Sequence, residues 1–292
     1  MSFVRAGSLI LGALLFPSPT LAQRGTAAPQ CAVVTPLKAV PGLYEGSGLA
    51  LSRGLPRRLF TMNDSGAAEV LVLNTDGAPR GKVLVSGADV NDWEDVTTGP
   101  CAGGSCLYIA DIGDNLSVRT RITIYQMPEP ADGATRATAV RFDVEYPDGP
   151  HDAEAVFAGP DGRLYLLTKE PRGSALYALP NRLTPASVNR LERLAVLDFG
   201  TGRGRFARVT DAESSADGRT VAVRTNDTLF VLPTTALLAG RLAEASIYSL
   251  RQLGEPKGEG VAPAVDGEVF VLGEGGGRRA TGTFAALKCA TR

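Results

Sequence analysis

A short acidic motif recurs five times along this chain, each time followed by a turn and a second apolar run. In order, the motifs are Glu45-Gly-Ser47-Gly-Leu-Ala, Asp92-Trp-Glu94-Asp-Val-Thr, Asp152-Ala-Glu154-Ala-Val-Phe, Asp211-Ala-Glu213-Ser-Ser-Ala and Lys257-Gly-Glu259-Gly-Val-Ala. The apolar runs that follow start at Leu59, Leu107, Leu164, Val221 and Val269. Third and fourth strands are predicted after most of these pairs: Glu69 to Leu73 and Lys82 to Val85, Ile122 to Gln126 and Ala139 to Val144, Leu176 to Leu179 and Leu194 to Phe199, and Leu229 to Leu232 and Ile247 to Leu250. Four short strands in each repeat of roughly 40–60 residues is the pattern of a propeller blade. The fold expected is therefore all-β, a five-bladed β-propeller, with six blades as the alternative count. A β-sandwich would accommodate the strands but gives no reason for an acid to recur at one place in each repeat.

The last repeat runs short of residues after Thr283 to Leu287, whereas the apolar stretch Ala32 to Val40 upstream belongs to no repeat. That N-terminal strand is expected to complete the fifth blade and close the ring, which removes the free sheet edges. A short helix over about Thr235 to Ala245 is expected to interrupt the fourth repeat.

The residues before the repeats read as a secretory signal over 1–22. A charged start at Met1 to Arg5 precedes an apolar core from Ala6 to Phe16, and Thr20-Leu21-Ala22 ends in small residues. One propeller domain over 23–292 remains, in a periplasmic or secreted protein. Its four cysteines, an even number in an oxidising compartment, are expected to pair. Cys101 and Cys106 flank one turn, which leaves Cys31 with Cys289 across the chain ends. A zinc site is the alternative, but the spacing does not suit it. The 34 glycines and 19 prolines suit a turn-rich β protein, and the net charge of −1, with both signs intermixed, argues against nucleic acid binding. No apolar run downstream of the signal is long enough for a membrane anchor. A monomer is expected.

In a propeller the first strand of each blade lines the central channel, and residues two apart on a strand point the same way. The aligned motifs thus predict two stacked rings. One holds Ser47, Glu94, Glu154, Glu213 and Glu259; the second holds Glu45, Asp92, Asp152 and Asp211, with Lys257 in the fifth place. Trp93 should face away, into blade packing. Carboxylates converging on a narrow channel repel, so either protons or a cation must neutralise them. Oxygen ligands without thiolate favour Ca²⁺; a hydrated channel is the alternative. The ends of the second strands add Asn63-Asp64-Ser65, Asp111-Ile-Gly-Asp114-Asn115 and Thr168-Lys169-Glu170 to the same face. Candidate catalytic residues are Asp111, Asp114, Lys169 and the single His of the chain, His151, as a general base or anion ligand. There is no G-x-S-x-G elbow and no P-loop.

At these motifs the chain resembles the calcium-activated nucleotidase (apyrase) family. Ser47 in G-S-G-L, Glu94 beside Trp93, Glu154 after His151 and Glu259 in G-E-G-V match residues of that family, and Glu213 or Ser214 falls where it has a Ser pair. Leu107-Tyr-Ile-Ala-Asp-Ile-Gly is similar to the strand after its second-blade Glu. The resemblance implies a five-bladed propeller with one Ca²⁺ in the channel, held by Ser and Glu side chains. The set N-D-W-E-D, D-I-G-D-N and H-D-A-E-A also resembles secreted bacterial propeller proteins of no assigned activity. The function expected is an exported calcium-binding propeller, a metal-dependent hydrolase of phosphate or related esters if it is an enzyme. A noncatalytic ligand- or protein-binding propeller with a structural calcium is the alternative, and a lactonase-like propeller enzyme a further one.

Overall fold

The structure, a computed structural model, describes residue 1 and residues 31–170, 173–200, 208–277 and 280–290. The expected signal segment lies outside the described residues. The chain forms five sheets, one for each repeat, in which the four blade strands run antiparallel. In chain order, β1 (Cys31–Ala39) precedes the first blade, made by β2 (Gly46–Leu51), β3 (Arg58–Asn63), β4 (Glu69–Asn74) and β5 (Pro79–Ser86). The second blade has β6 (Trp93–Cys101), β7 (Gly104–Asp111), β8 (Ile122–Pro128) and, after β9 (Arg136–Thr138), β10 (Val140–Glu145). The third has β11 (Ala153–Ala158), β12 (Leu164–Thr168), β13 (Ser174–Ala178) and, after β14 (Asn189–Arg190), β15 (Glu192–Leu197). The fourth has β16 (Val209–Ser214), β17 (Thr220–Thr225), β18 (Thr228–Pro233) and β19 (Ser246–Ser249); the fifth has β20 (Lys257–Pro263), β21 (Glu268–Glu274) and β22 (Thr283–Cys289).

As expected, β1 completes the fifth blade. It runs antiparallel to β22 with Cys31 opposite Cys289, and those two cysteines form a disulfide. Cys101 and Cys106 form the second disulfide. Oxidised pairs of this kind belong to a chain outside a reducing cytoplasm. Among the described residues no helix is long and apolar enough to cross a membrane.

The innermost strands β2, β6, β11, β16 and β20 neighbour one another in that order, and β20 returns to β2. Five hydrophobic cores fill the five seams, each drawing residues from two adjacent blades. The seam between the fifth and first blades is typical: Leu49, Leu59 and Leu73 pack on Phe270, Leu272 and Phe284. Crowding at the axis explains the small residues of the inner strands. Gly48 has φ +65°, and a Cβ there would come within 2.4 Å of Asp95 Oδ1 and 2.7 Å of the Val96 nitrogen.

Two elements differ from expectation. The helix is shorter, an α-helix over Thr234–Leu238 and a 3₁₀ turn over Leu242–Glu244. Gly240 at φ +72° lies between them, the left-handed conformation that ends helices. The second difference is β9 and β14, which were not expected. They come from connections within the second and third blades and pair in parallel with the outermost strand of the preceding blade, β9 on β5 and β14 on β10. Each is short and without apolar alternation, so nothing local marks it; it covers an edge that would otherwise invite association.

Candidate functional site

Each inner strand breaks register with its partner near its start. The irregularities fall between Ser47 and Ala50, Trp93 and Asp95, Ala153 and Ala155, Val209 and Asp211, and Gly258 and Gly260. Such a bulge leaves an extra residue on one strand and re-aims its side chain. The extra residues are Glu94, Glu154, Thr210 and Glu259, with Ser47 at the edge of the corresponding stretch in the first blade. All five are buried. The bulges therefore set one level of oxygen-bearing side chains at the channel mouth, one from each blade.

The bulge corrects the expected rings in the fourth blade. Because the irregularity there falls after Val209, Thr210 takes the place of Glu94 and Glu154, and Asp211 takes the place of Asp95. Glu213 and its neighbour Ser214 follow deeper in the channel. Their surroundings show this: the groups that act on Glu213 include Thr97, Thr98 and Arg53, whereas those on Glu94 include Glu154, Lys169 and Glu259. Asp211 likewise leaves the second ring. It is 0% exposed, while Asp92 and Asp152 are half-buried at the rim and Glu45 is exposed, accepting a hydrogen bond from Ser65.

At the mouth, Ser47 Oγ donates to the Glu94 carbonyl at 2.5 Å. Lys169, at the end of β12, places its ammonium against Glu154 Oε1. Lys257 pairs with Glu259 at 2.7 Å and with Glu274 at 2.5 Å. Burial, and then the charge of Glu154, hold Glu94 well above the usual carboxylate range. Burial pushes Glu154 up to about 8 against the pull of Lys169, and raises Glu259 against that of Lys257. Thr210 Oγ1 is buried without a hydrogen-bond partner.

The donor set suits a hard cation, since it consists of oxygens alone. As the side chains stand, however, no three carboxylate, imidazole or thiolate groups among the described residues are close enough together to hold a metal ion. Lys169 and Lys257 instead bring the positive charge, at Glu154 and Glu259 respectively.

One level down, Asp95 and Asp211 face each other across the channel, and each also ties its own blade to the next. Asp95 accepts from the Val156 nitrogen at 2.6 Å and Asp211 from the Val261 nitrogen at 2.5 Å. Burial, with Asp211 as the largest neighbouring charge, raises Asp95 well above its ordinary range. Burial pushes Asp211 up to about 8. Below this pair Arg53 crosses the channel, donating to Thr98, Ala216 and Ser214. Both Glu213 oxygens lie buried without a hydrogen-bond partner between these layers. Asp95 escaped the sequence reading because the D-x-E frame put Asp211 beside Asp92. Setting Glu94-Asp95-Val96 against Thr210-Asp211-Ala212 finds it.

The remaining candidates brace the rim. Asp111 accepts from the nitrogens of Asn91 at 3.2 Å and Asp92 at 3.3 Å and pairs with Arg119 at 2.8 Å. Asp114 accepts from the Arg119 nitrogen at 2.7 Å, and its own nitrogen donates to Asp152 at 2.8 Å. Together they fix the Asp92 and Asp152 backbone and side chain. His151 stands on the third blade with Nδ1 3.2 Å from Glu170, and Nε2 3.2 Å from Asp148 and 3.0 Å from the Tyr177 hydroxyl. Both ring nitrogens are thus engaged within the protein. Asp64, on the rim of the first blade, is pushed up to about 7 by burial and then by Glu45 and Glu274. Trp93 is fully buried in the seam between the first two blades, and its indole donates to the Asp89 carbonyl at 2.9 Å.

No family model matches the chain, and no curated protein matches it by sequence. Among solved structures it is similar to the PQQ-bound aldose sugar dehydrogenase of Streptomyces coelicolor, with a TM-score of 0.52 at 12% identity over 90% of this chain and 100% of that one. It is also similar to the gluconolactonase XC5397 of Xanthomonas campestris, with a TM-score of 0.44 at 11% identity over 90% of this chain and 95% of that one. At 12% identity the likeness to the sugar dehydrogenase concerns the fold alone. The chain is a five-bladed β-propeller with a carboxylate-lined channel mouth.

Proposed function

We propose that the protein is exported, takes up a divalent cation at the channel mouth, and hydrolyses a phosphate or related ester on that face. The observation that carries this reading is the level of buried oxygens at the five bulges. Glu94, Glu154 and Glu259, with Ser47 and Thr210, would hold the ion, and Ca²⁺ is the ion that such a set suits. The apyrase-like motifs at Ser47, Glu94, Glu154 and Glu259 point the same way, with Thr210 in place of Glu213 or Ser214. When bound, the ion would supply Lewis-acid polarisation of a phosphoryl or carbonyl oxygen. Asp64 is suited to accept a proton from water, since an acid poised near neutral pH makes an effective general base. Asp92 and Asp152, held by Asp111 and Asp114, shape the rim, and Lys257 presents a positive charge there. Export rests on the signal pattern over 1–22 together with the two disulfides.

Calorimetric titration with Ca²⁺ and a hydrolysis panel of nucleoside di- and triphosphates, phosphoesters and lactones test this. The expected result is stoichiometric binding, turnover abolished by chelator, and loss of both in Glu154→Gln. Absence of binding, with thermal stability unchanged by chelator, overturns the cation. A second reading, a noncatalytic ligand-binding propeller, draws support from a groove of ≈ 490 Å³ between the fifth and first blades, lined by Thr35, Leu51, Asp76, Ala264 and Phe270. Calcium binding without turnover of any substrate in the panel would favour it.

A further inference from the structure

We infer that Lys169 is a tethered counter-ion of the channel mouth, which a divalent cation must displace, so that cation binding and exposure of this amine are coupled. The inference rests on the cation reading above but concerns a residue which that reading leaves without a role.

The root of Lys169 is fixed. It follows Thr168, which is fully buried at the end of β12, and its backbone nitrogen donates to the Asp152 carbonyl at 2.9 Å. Its side chain is only 20% exposed, with the ammonium against Glu154 Oε1. Its side-chain partner is Glu154, and it stands at the mouth where Glu94 and Glu259 converge from two other inner strands. Lys257 does not take over this task, because it is shared with Glu274 at the rim and its side chain is 47% exposed.

At Glu154 the counter-charge is one ammonium, a strongly hydrated point charge on a flexible four-carbon stem. A divalent ion brings twice the charge and can engage more oxygens at once. A divalent ion entering against Glu154 repels the ammonium that rests on Oε1, and this repulsion turns the lysine outward. With its root at the rim, the stem needs no backbone movement to reach water.

The test uses the full mature chain stripped with chelator, then acetylated with an amine-reactive reagent with and without Ca²⁺, each lysine being followed by mass spectrometry. Lys38, Lys82 and Lys288 serve as internal controls. Lys169 should label several-fold faster with Ca²⁺ while the controls do not change. Calorimetry should show Lys169→Met binding Ca²⁺ about tenfold more tightly than wild type, about 1.4 kcal/mol, with Lys169→Arg closer to wild type. Thermal unfolding confirms that each variant is folded. Stoichiometric Ca²⁺ binding with unchanged labelling and equal affinity in Lys169→Met overturns the inference and leaves the cation reading standing. No binding by wild type or by Lys169→Met overturns both. Binding by Lys169→Met alone supports the inference in its strongest form.

Discussion

Asp64 shows how a surface carboxyl acquires an unusual proton affinity from its neighbours. It is half-buried beside Glu45 and Glu274, and burial with those two charges pushes it up to about 7 from an ordinary 3.8. The folded protein thus retains a proton that the unfolded chain has released above its own lower value. Its contribution to stability is complete below about pH 4 and is lost as pH rises through 7. Asp64→Asn should remove that slope, gaining ~1–2 kcal/mol at pH 8 relative to pH 4 once solvent screening is allowed for. Urea denaturation at the two pH values measures it; a slope equal to wild type would show that burial and the neighbouring charges do not hold the Asp64 proton. At the same scale, Glu94, Glu154 and Glu259 were legible in the sequence because each has an acid in a matching frame. Thr210 was not, because a hydroxyl among acids carries no charge pattern and its equivalence comes from a backbone bulge.

At the scale of elements, the inner strands are held to one another as much by side chains as by seam packing. Asp95 bridges the second and third blades, and Asp211 the fourth and fifth, each through a backbone nitrogen of the next inner strand. Both are fully buried, so removing either acceptor would strand a backbone donor at a cost of about 1–3 kcal/mol, before any cavity cost is added. Asp211→Ala should therefore destabilise by ~2–4 kcal/mol, whereas Asp211→Asn, which keeps the acceptor and can donate to Asp95, should cost under ~1 kcal/mol. Equal losses for the two variants in denaturant titrations would refute the bridging role. The strands themselves were largely readable, since apolar runs bounded by turns recur throughout. The edge strands β9 and β14 were hidden because parallel pairing with another blade leaves no local trace in two or three residues.

For the whole molecule, closure is the main question. Five seams can be filled only if the fifth blade meets the first, and β1 provides the strand that completes the fifth blade. The Cys31–Cys289 disulfide locks this closure over a sequence separation of 258 residues. Chain-entropy arguments assign a loop of that size a stabilisation of up to about 5 kcal/mol, less any structure retained by the unfolded chain. Replacing both cysteines by serine should lower the thermal midpoint by several degrees and make β1 the first segment to exchange amide hydrogens. An unchanged midpoint and full protection of β1 would show that packing alone closes the ring.

The sequence by itself pointed to five repeats, with six blades left open, and to the closing strand, both disulfides and the general place where charge collects, because each depends on residue types repeated or paired along the chain. The tertiary structure decided the register of the channel. A single extra residue in each inner strand shifts every side chain after it, so only the observed pairing distinguishes the mouth carboxylates from Asp95, Asp211 and Glu213 beneath them. The structure also showed which positive groups answer those acids: Lys169 lies against Glu154 and Lys257 against Glu259.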